Sequence, residues 1–152
     1  MKEKPRIYLD TSVISALFDE RNPERMNLTN DFFKTLGNYE AFISEITSAE
    51  LKRTPDPQIR AKMERAIASF PQLPAPDGTA ELAGEYMREG AVPLTHPEDA
   101  YHIAVAVASG MQFLLSWNFK HIVRMKTRNI IQAVNRTRGL PEITILTPGE
   151  LL

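Results

Sequence analysis

The sequence of 152 residues contains no cysteine. Disulfides, thiolate zinc sites and a cysteine nucleophile are therefore excluded, which fits a cytoplasmic location. Long hydrophobic runs are also missing: the longest, Ile103 to Ala108, is far too short to cross a bilayer. The segment Met1 to Pro5 lacks the apolar stretch of a signal peptide. We expect a cytoplasmic protein without membrane contact.

The composition is that of a soluble globular protein, with 43% hydrophobic and 24% charged residues. A chain of this length can bury a substantial core in one unit. Neither an internal repeat nor a low-complexity tract interrupts it. Residues 1–152 are therefore expected to form a single domain.

One further absence is local: no acidic residue occurs between Phe119 and Pro141. Residues 1–118 hold 12 Lys/Arg and 17 Asp/Glu, so the overall net charge of −1 conceals an uneven distribution. The acid-free stretch could attract a polyanion, although a solvated helix face explains it equally well. The candidate contacts are Lys120, His121, Arg124, Lys126 and Arg128.

Short apolar runs alternate with helical patterns along the chain. Strands are predicted over 7–9, 40–43, 112–115 and 143–146. Helices are predicted over 11–19, 22–36, from an N-cap at Ser44, 57–70, from Asp77 or Thr79 to Gly90, 97–110 and 127–137. Alternation of this kind is typical of an α/β protein with a parallel sheet and crossover helices.

Several acids or amides lie beside these apolar elements. Asp10 ends the first strand, Glu50 lies on the helix after Ser44, Asp99 is in the first turn of the most apolar helix, and Asn118 follows a later strand. Ligands of open α/β sheets bind at the carboxyl ends of strands. Hard cations such as Mg²⁺ prefer oxygen ligands, and a bound ion can activate water against a phosphodiester.

Four segments carry a resemblance to a known family. They are Ile7-Tyr8-Leu9-Asp10-Thr11-Ser12-Val13-Ile14, Thr47-Ser48-Ala49-Glu50-Leu51, Glu98-Asp99-Ala100-Tyr101-His102-Ile103-Ala104 and Leu114-Leu115-Ser116-Trp117-Asn118-Phe119-Lys120-His121-Ile122. In this order the chain resembles a PIN-domain ribonuclease, most of all the VapC-type toxins of toxin–antitoxin pairs. Each segment is weak alone, whereas the four together are fairly specific.

The resemblance implies a three-layer α/β/α sandwich around a mostly parallel sheet. It also implies Mg²⁺- or Mn²⁺-dependent cleavage of RNA, a homodimer and a small antitoxin partner. Asp10, Glu50 and Asp99 correspond to the three main acids of the family. Asn118 falls where many members have a fourth acid, and an amide cannot act as a carboxylate ligand or base.

Each site residue also has a structural alternative. Asp10 could cap the following helix, Glu50 could be a surface acid, and Asp99 could complement a helix dipole. Glu98 competes with Asp99, because adjacent helical residues point about 100° apart. Asn118 could be a turn or cap residue.

The neighbouring polar residues have simpler expected roles. Thr11 and Ser12 are expected to cap, with bonds to an acid as the alternative. His102 is expected to be a structural histidine that orients Asp99 or Trp117. Trp117 itself is expected to pack in the core, although a stacked base is conceivable.

Two rival functions stay open. A PIN-like fold with a weakened fourth position could be an RNA- or protein-binding module with little turnover. An unrelated phosphoryl-transfer enzyme could use Asp10 as its nucleophile. Ser12 counts against the latter, because many haloacid-dehalogenase-like phosphatases carry a second aspartate at this position.

Overall fold

A computed structural model describes residues 3–152, and the expectations that concern Met1 and Lys2 lie outside the described residues. The described residues form five strands and seven α-helices. The strands are β1 (Arg6–Leu9), β2 (Glu40–Ser44), β3 (Gln72–Leu73), β4 (Phe113–Leu115) and β5 (Thr144–Leu146). The helices are α1 (Thr11–Ala16), α2 (Pro23–Phe33), α3 (Glu45–Lys52), α4 (Pro57–Ile67), α5 (Thr79–Arg88), α6 (Pro97–Ala108) and α7 (Met125–Thr137).

All five strands are parallel, in the order β3-β2-β1-β4-β5. Successive β1 side chains alternate between the two faces of the sheet. Tyr8 joins the core that α5, α6 and α7 cover, whereas Ile7 and Leu9 join the core under α1 to α4. The predicted α/β/α sandwich around a parallel sheet is confirmed.

The sheet order places a topological switch point between β1 and β4. The chain proceeds from β1 to β2 on one side, and the later strands add on the other. Crossover helices therefore leave in opposite directions, and a crevice opens outside the carboxyl ends of these two strands. Asp10 directly follows β1, and Ser116 directly follows β4.

Most element boundaries agree with the sequence patterns, and the differences have local causes. The first helix ends at Ala16 rather than at Asp19, because turns carry the chain toward the second helix. The second ends at Phe33 rather than at Leu36, where a short 3-10 turn over 36–38 follows. Helix α4 likewise stops at Ile67 instead of Phe70.

The predicted N-caps of α3 and α5 have different outcomes. Ser44 caps α3 as expected, since its hydroxyl accepts a hydrogen bond from the Ile46 amide. Neither Asp77 nor Thr79 caps α5: Gly78 is at the N-cap, with a left-handed φ of 85° that favours glycine. The proline-rich connection also contains the two-residue strand β3, which was not predicted.

The apolar side of α2 is largely used in packing. Phe32 is fully buried, and Phe33 and Leu36 pack half-buried against the core below the sheet. Core packing therefore accounts for these three apolar side chains. None of the helices in residues 3–152 is long and apolar enough to cross a membrane.

Candidate metal-dependent active site

Asp10 lies at the switch point and is only 4% exposed. Its Oδ1 caps α1 by accepting hydrogen bonds from the Ser12 amide at 2.8 Å and the Ser12 hydroxyl at 2.5 Å. Its Oδ2 accepts a bond of 2.7 Å from the Ser116 hydroxyl, which comes from β4. Burial raises the pKa of Asp10, against the lowering effects of His102 and both serines. The capping alternative is therefore correct, and it coexists with a position in the site.

Glu50 reaches the same edge from α3. Its Oε1 accepts hydrogen bonds from the Thr11 hydroxyl at 2.8 Å and from His102 Nε2 at 2.5 Å. Burial opposes ionisation, but the hydrogen bond and the charge of His102 prevail and lower the pKa of Glu50. Glu50 is thus an anchored, ionised acid and not an ordinary surface residue.

His102 is 1% exposed and lies between two elements of the site. Its Nδ1 contacts the Tyr8 hydroxyl at 2.6 Å, and that hydroxyl contacts Ser44 Oγ at 2.7 Å. Burial disfavours the imidazolium, but the Tyr8 oxygen, Glu50 and Asp10 together raise the pKa of His102 to about 10. The prediction that His102 orients Asp99 or Trp117 is wrong, because its partners are Glu50 and Tyr8.

Asp99 lies one helical turn before His102, and its Oδ2 is 2.9 Å from Nδ1 of His121. The His121 ring in turn packs against the His96 ring, with centroids 4.1 Å apart and an angle of 45° between the ring planes. The neighbouring Glu98 instead pairs with Arg53 at 2.9 Å, nearer to solvent. The Asp99 side chain is therefore less exposed than that of Glu98, the alternative ligand on the same helix.

Asn118 uses its side-chain oxygen locally. Oδ1 accepts a hydrogen bond of 3.0 Å from the His121 amide, as a turn residue would. The backbone N–H of Asn118 donates to Ser116 Oγ at 2.9 Å, and the Ser116 hydroxyl donates to Asp10. Asn118 is thus joined to the site through its backbone, while its side chain closes the following turn.

Hydrogen bonds therefore connect Asp10 to Asn118 through Ser116, and Asn118 to Asp99 through His121, whereas Glu50 is held by Thr11, the residue after Asp10. Within residues 3–152, however, no three His, Asp or Glu side chains are arranged to hold one ion together. Mg²⁺ commonly takes only one or two carboxylates and keeps several waters. Asp99 Oδ1 accepts no hydrogen bond from the described side chains, whereas Glu50 also lies next to Glu98, whose side-chain hydrogen bond helps to lower the pKa of Glu50. The hard oxygen donors present fit a hydrated divalent cation.

The predicted polyanion contacts divide into two groups. Lys120 and Lys126 are exposed and have no ion pair within residues 3–152. Arg124 is structural, because its guanidinium bonds to Thr127 and to the Ala91 carbonyl. Arg128 lies 3.9 Å from Glu150, and His121 is held by Asp99. The two lysines are thus the members of the set that remain available.

Hydroxyl side chains hold two acids of the site. Ser116 had no expected role, and for Thr11 and Ser12 a bond to an acid was the alternative to the expected capping role. Thr11 bonds Glu50, whereas Ser12 and Ser116 bond Asp10. The sequence did contain a signal for Ser116. It directly follows the apolar strand β4, just as Asp10 directly follows β1. Only the strand order shows that the two strands are neighbours.

Both the sequence and the fold of this chain are similar to those of known proteins. The model of the PIN domain family matches residues 7–122. Among solved structures, the fold is similar to a chain in the crystal structure of VapBC2 from Rickettsia felis bound to a DNA fragment from its promoter. That match has a TM-score of 0.58 and 16% identity, and covers 92% of this chain and 96% of the other. At this identity it concerns the fold alone. Curated proteins gave no match.

Proposed function

The chain belongs to the PIN domain family, and on this premise we propose that it is a divalent-metal-dependent endoribonuclease, the toxin of a toxin–antitoxin pair. PIN domains are generally nucleases that use divalent ions. The observation that carries the proposal is the hydrogen-bonded edge that joins Asp10, Asn118 and Asp99, with Glu50 held beside it by Thr11. Mg²⁺ or Mn²⁺ is the proposed cofactor, and a cytoplasmic location is part of the proposal.

In this proposal one or two of the acids Asp10, Glu50 and Asp99 would bind a hydrated cation directly, and the remaining acid would contact its waters. When bound, the ion would polarise the scissile phosphoryl oxygen and lower the pKa of the attacking water. The protein prepares the ligands: Ser12 and Ser116 fix both oxygens of Asp10. Because the Asp10 carboxylate is already oriented, its side chain needs little reorganisation when the substrate arrives.

The remaining two acids are oriented by histidines. His102 and Thr11 both bond to Oε1 of Glu50, and His121 bonds to Oδ2 of Asp99, so that Asp99 Oδ1 has no hydrogen bond from the described side chains. Asn118 contributes through its backbone and contributes no carboxylate. Lys120 and Lys126 would offset the negative charge of the edge and attract RNA phosphates.

A partner is proposed on two grounds. The similar fold belongs to a VapBC complex, which supports a small antitoxin that occupies the acidic edge. A homodimer follows from the family resemblance. The aspartyl-phosphate alternative is disfavoured, since the PIN domain model matches residues 7–122 and PIN domains are generally nucleases.

The test is cleavage of a panel of structured and single-stranded RNAs with Mg²⁺, Mn²⁺ or EDTA. We expect metal-dependent cutting that an Asp10→Asn/Asp99→Asn double variant lacks. Asp31→Asn is the matched control, because this exposed acid on α2 lies outside the site. Absence of cutting by folded protein on every RNA would instead favour the binding module, for which the local use of the Asn118 side chain would be the reason.

A further inference from the structure

Phe119 presents an aromatic ring to solvent directly beside the site. The residue is 51% exposed, whereas most of the chain's other aromatic residues are buried or half-buried. It follows Asn118 immediately, and the Asn118 amide bonds to the Ser116 hydroxyl that holds Asp10. The backbone that carries the exposed ring is therefore connected to Asp10 through Asn118 and Ser116.

The Phe119 ring packs against the buried Trp117. Trp117 is 9% exposed and its indole nitrogen donates to Thr29 Oγ1 at 2.9 Å. Its ring meets Phe119 edge to face, with centroids 6.2 Å apart. A buried and hydrogen-bonded Trp117 cannot itself stack a base, so the stacking role that the sequence suggested for it is transferred to its exposed neighbour.

A cation completes the arrangement. The Arg25 guanidinium lies 5.2 Å from the Trp117 ring centroid and 5.6 Å from that of Phe119. Arg25 makes no ion pair within residues 3–152. An aromatic ring and a guanidinium plane side by side are the two surfaces on which proteins stack single-stranded bases.

The charge around this pair suits a polyanion. Phe119 begins the stretch without acids that runs to Pro141, and the exposed Lys120 follows it. An apolar protein segment would gain nothing from these cations, whereas a nucleotide would bury its base on the ring and leave its phosphate near positive charge. The observations therefore favour nucleic acid over a peptide at this position.

We propose that Phe119 and Arg25 form a stacking subsite for one unpaired base of single-stranded RNA, next to the phosphate that the acids address. The inference rests on the proposed ribonuclease function and extends it to substrate class. Paired bases cannot present their faces to the ring, so the subsite predicts a preference for single-stranded RNA at the cleavage position.

The experiment measures binding of a labelled single-stranded RNA decamer in EDTA, so that no cleavage occurs. Fluorescence anisotropy is recorded for the intact decamer and for ten versions that each carry one abasic site. For Phe119→Ala we expect Kd to rise about 5- to 100-fold, because one base–aromatic stack is lost. Phe119→Tyr should bind like the wild type, Phe119→Leu should resemble Phe119→Ala, and Arg25→Gln should bind about 2- to 5-fold more weakly.

The decisive result is coupling between protein and RNA. In the wild type a single abasic position is expected to weaken binding as much as Phe119→Ala does, and the two changes together should cost no more than either alone. Leu94→Ala is the matched control, since Leu94 is 74% exposed and makes no aromatic contact. Circular dichroism melting checks that each variant is folded.

Three outcomes would overturn the proposal. They are unchanged RNA affinity in Phe119→Ala, abasic effects that add to the substitution at every position, and no RNA binding by the wild type. The first would assign the exposed ring to a protein partner instead. Cleavage by the wild type with an unaffected Phe119→Ala would refute the subsite and leave the nuclease intact, whereas coupled binding without cleavage would do the reverse.

Discussion

Replacing Asp10 with asparagine should make the metal-free protein more stable at neutral pH. Burial raises the pKa of Asp10 above 3.8. As the pH rises through the window between the unfolded and folded pKa values, the folded protein keeps a proton that the unfolded chain has lost. The free energy of unfolding therefore falls across this window and stays lower above it. An asparagine of the same shape does not ionise and escapes this penalty.

The magnitude follows from two opposing effects. Each unit by which the pKa is raised corresponds to about 1.4 kcal/mol of lost stability at high pH. Against this, the amide cannot accept hydrogen bonds on both sides as the carboxylate does from Ser12 and Ser116, which costs about 1 kcal/mol. We expect a net gain, because the burial that raises the pKa of Asp10 is the larger effect, and each 1 kcal/mol gained would raise Tm by about 2–4 °C.

The assay is urea and thermal denaturation of both proteins in EDTA at pH 7 and at pH 4. The gain of Asp10→Asn should be larger at pH 7 than at pH 4, because the raised pKa of Asp10 lets the folded wild type keep more of this proton at the lower pH. Asp31→Asn, on the exposed side of α2, should show no such pH-dependent gain. A variant that is less stable than the wild type at pH 7, or a difference that is equal at both pH values, would refute the reasoning.

Three further expectations concern metal, packing and the buried histidine. Mg²⁺ at 100 times its Kd should stabilise the wild type by about 2.7 kcal/mol and raise Tm by about 5–10 °C in differential scanning calorimetry, and Asp10→Asn should abolish this shift. Tyr86→Phe should lose about 1–3 kcal/mol in urea denaturation, because the buried Asn135 oxygen that accepts the Tyr86 hydroxyl is left unpaired. His102→Gln should lose a similar amount while Glu50 becomes less well held, and unchanged stability would show that this bond is dispensable.

Much of the fold was predictable from local patterns. The 2- and 3.6-residue periodicities predicted four of the five strands and the helices between them, because burial on a sheet face or helix face leaves a direct trace in the sequence. The strand β3 left no such trace, since two residues with one half-buried side chain carry no periodicity. Helix ends were displaced by two or three residues where turns replaced the expected last helical turn.

The sequence by itself determined the family and the acids Asp10, Glu50 and Asp99 as site candidates. Asp10 follows a strand, Asp99 lies in the first turn of a helix and Glu50 lies within a helix that follows a strand, and such placements are local properties of the chain. Their role as metal ligands stays a prediction, as does a single domain over 1–152.

Only the tertiary structure decided what each side chain contacts. Contacts such as Ser116 to Asp10 and His102 to Glu50 join residues 106 and 52 positions apart, and they depend on the order of parallel strands. Likewise, only packing buried Trp117 and left Phe119 exposed. Spacing along a chain specifies the elements, but the strand order that brings distant residues together is fixed by how the whole core packs.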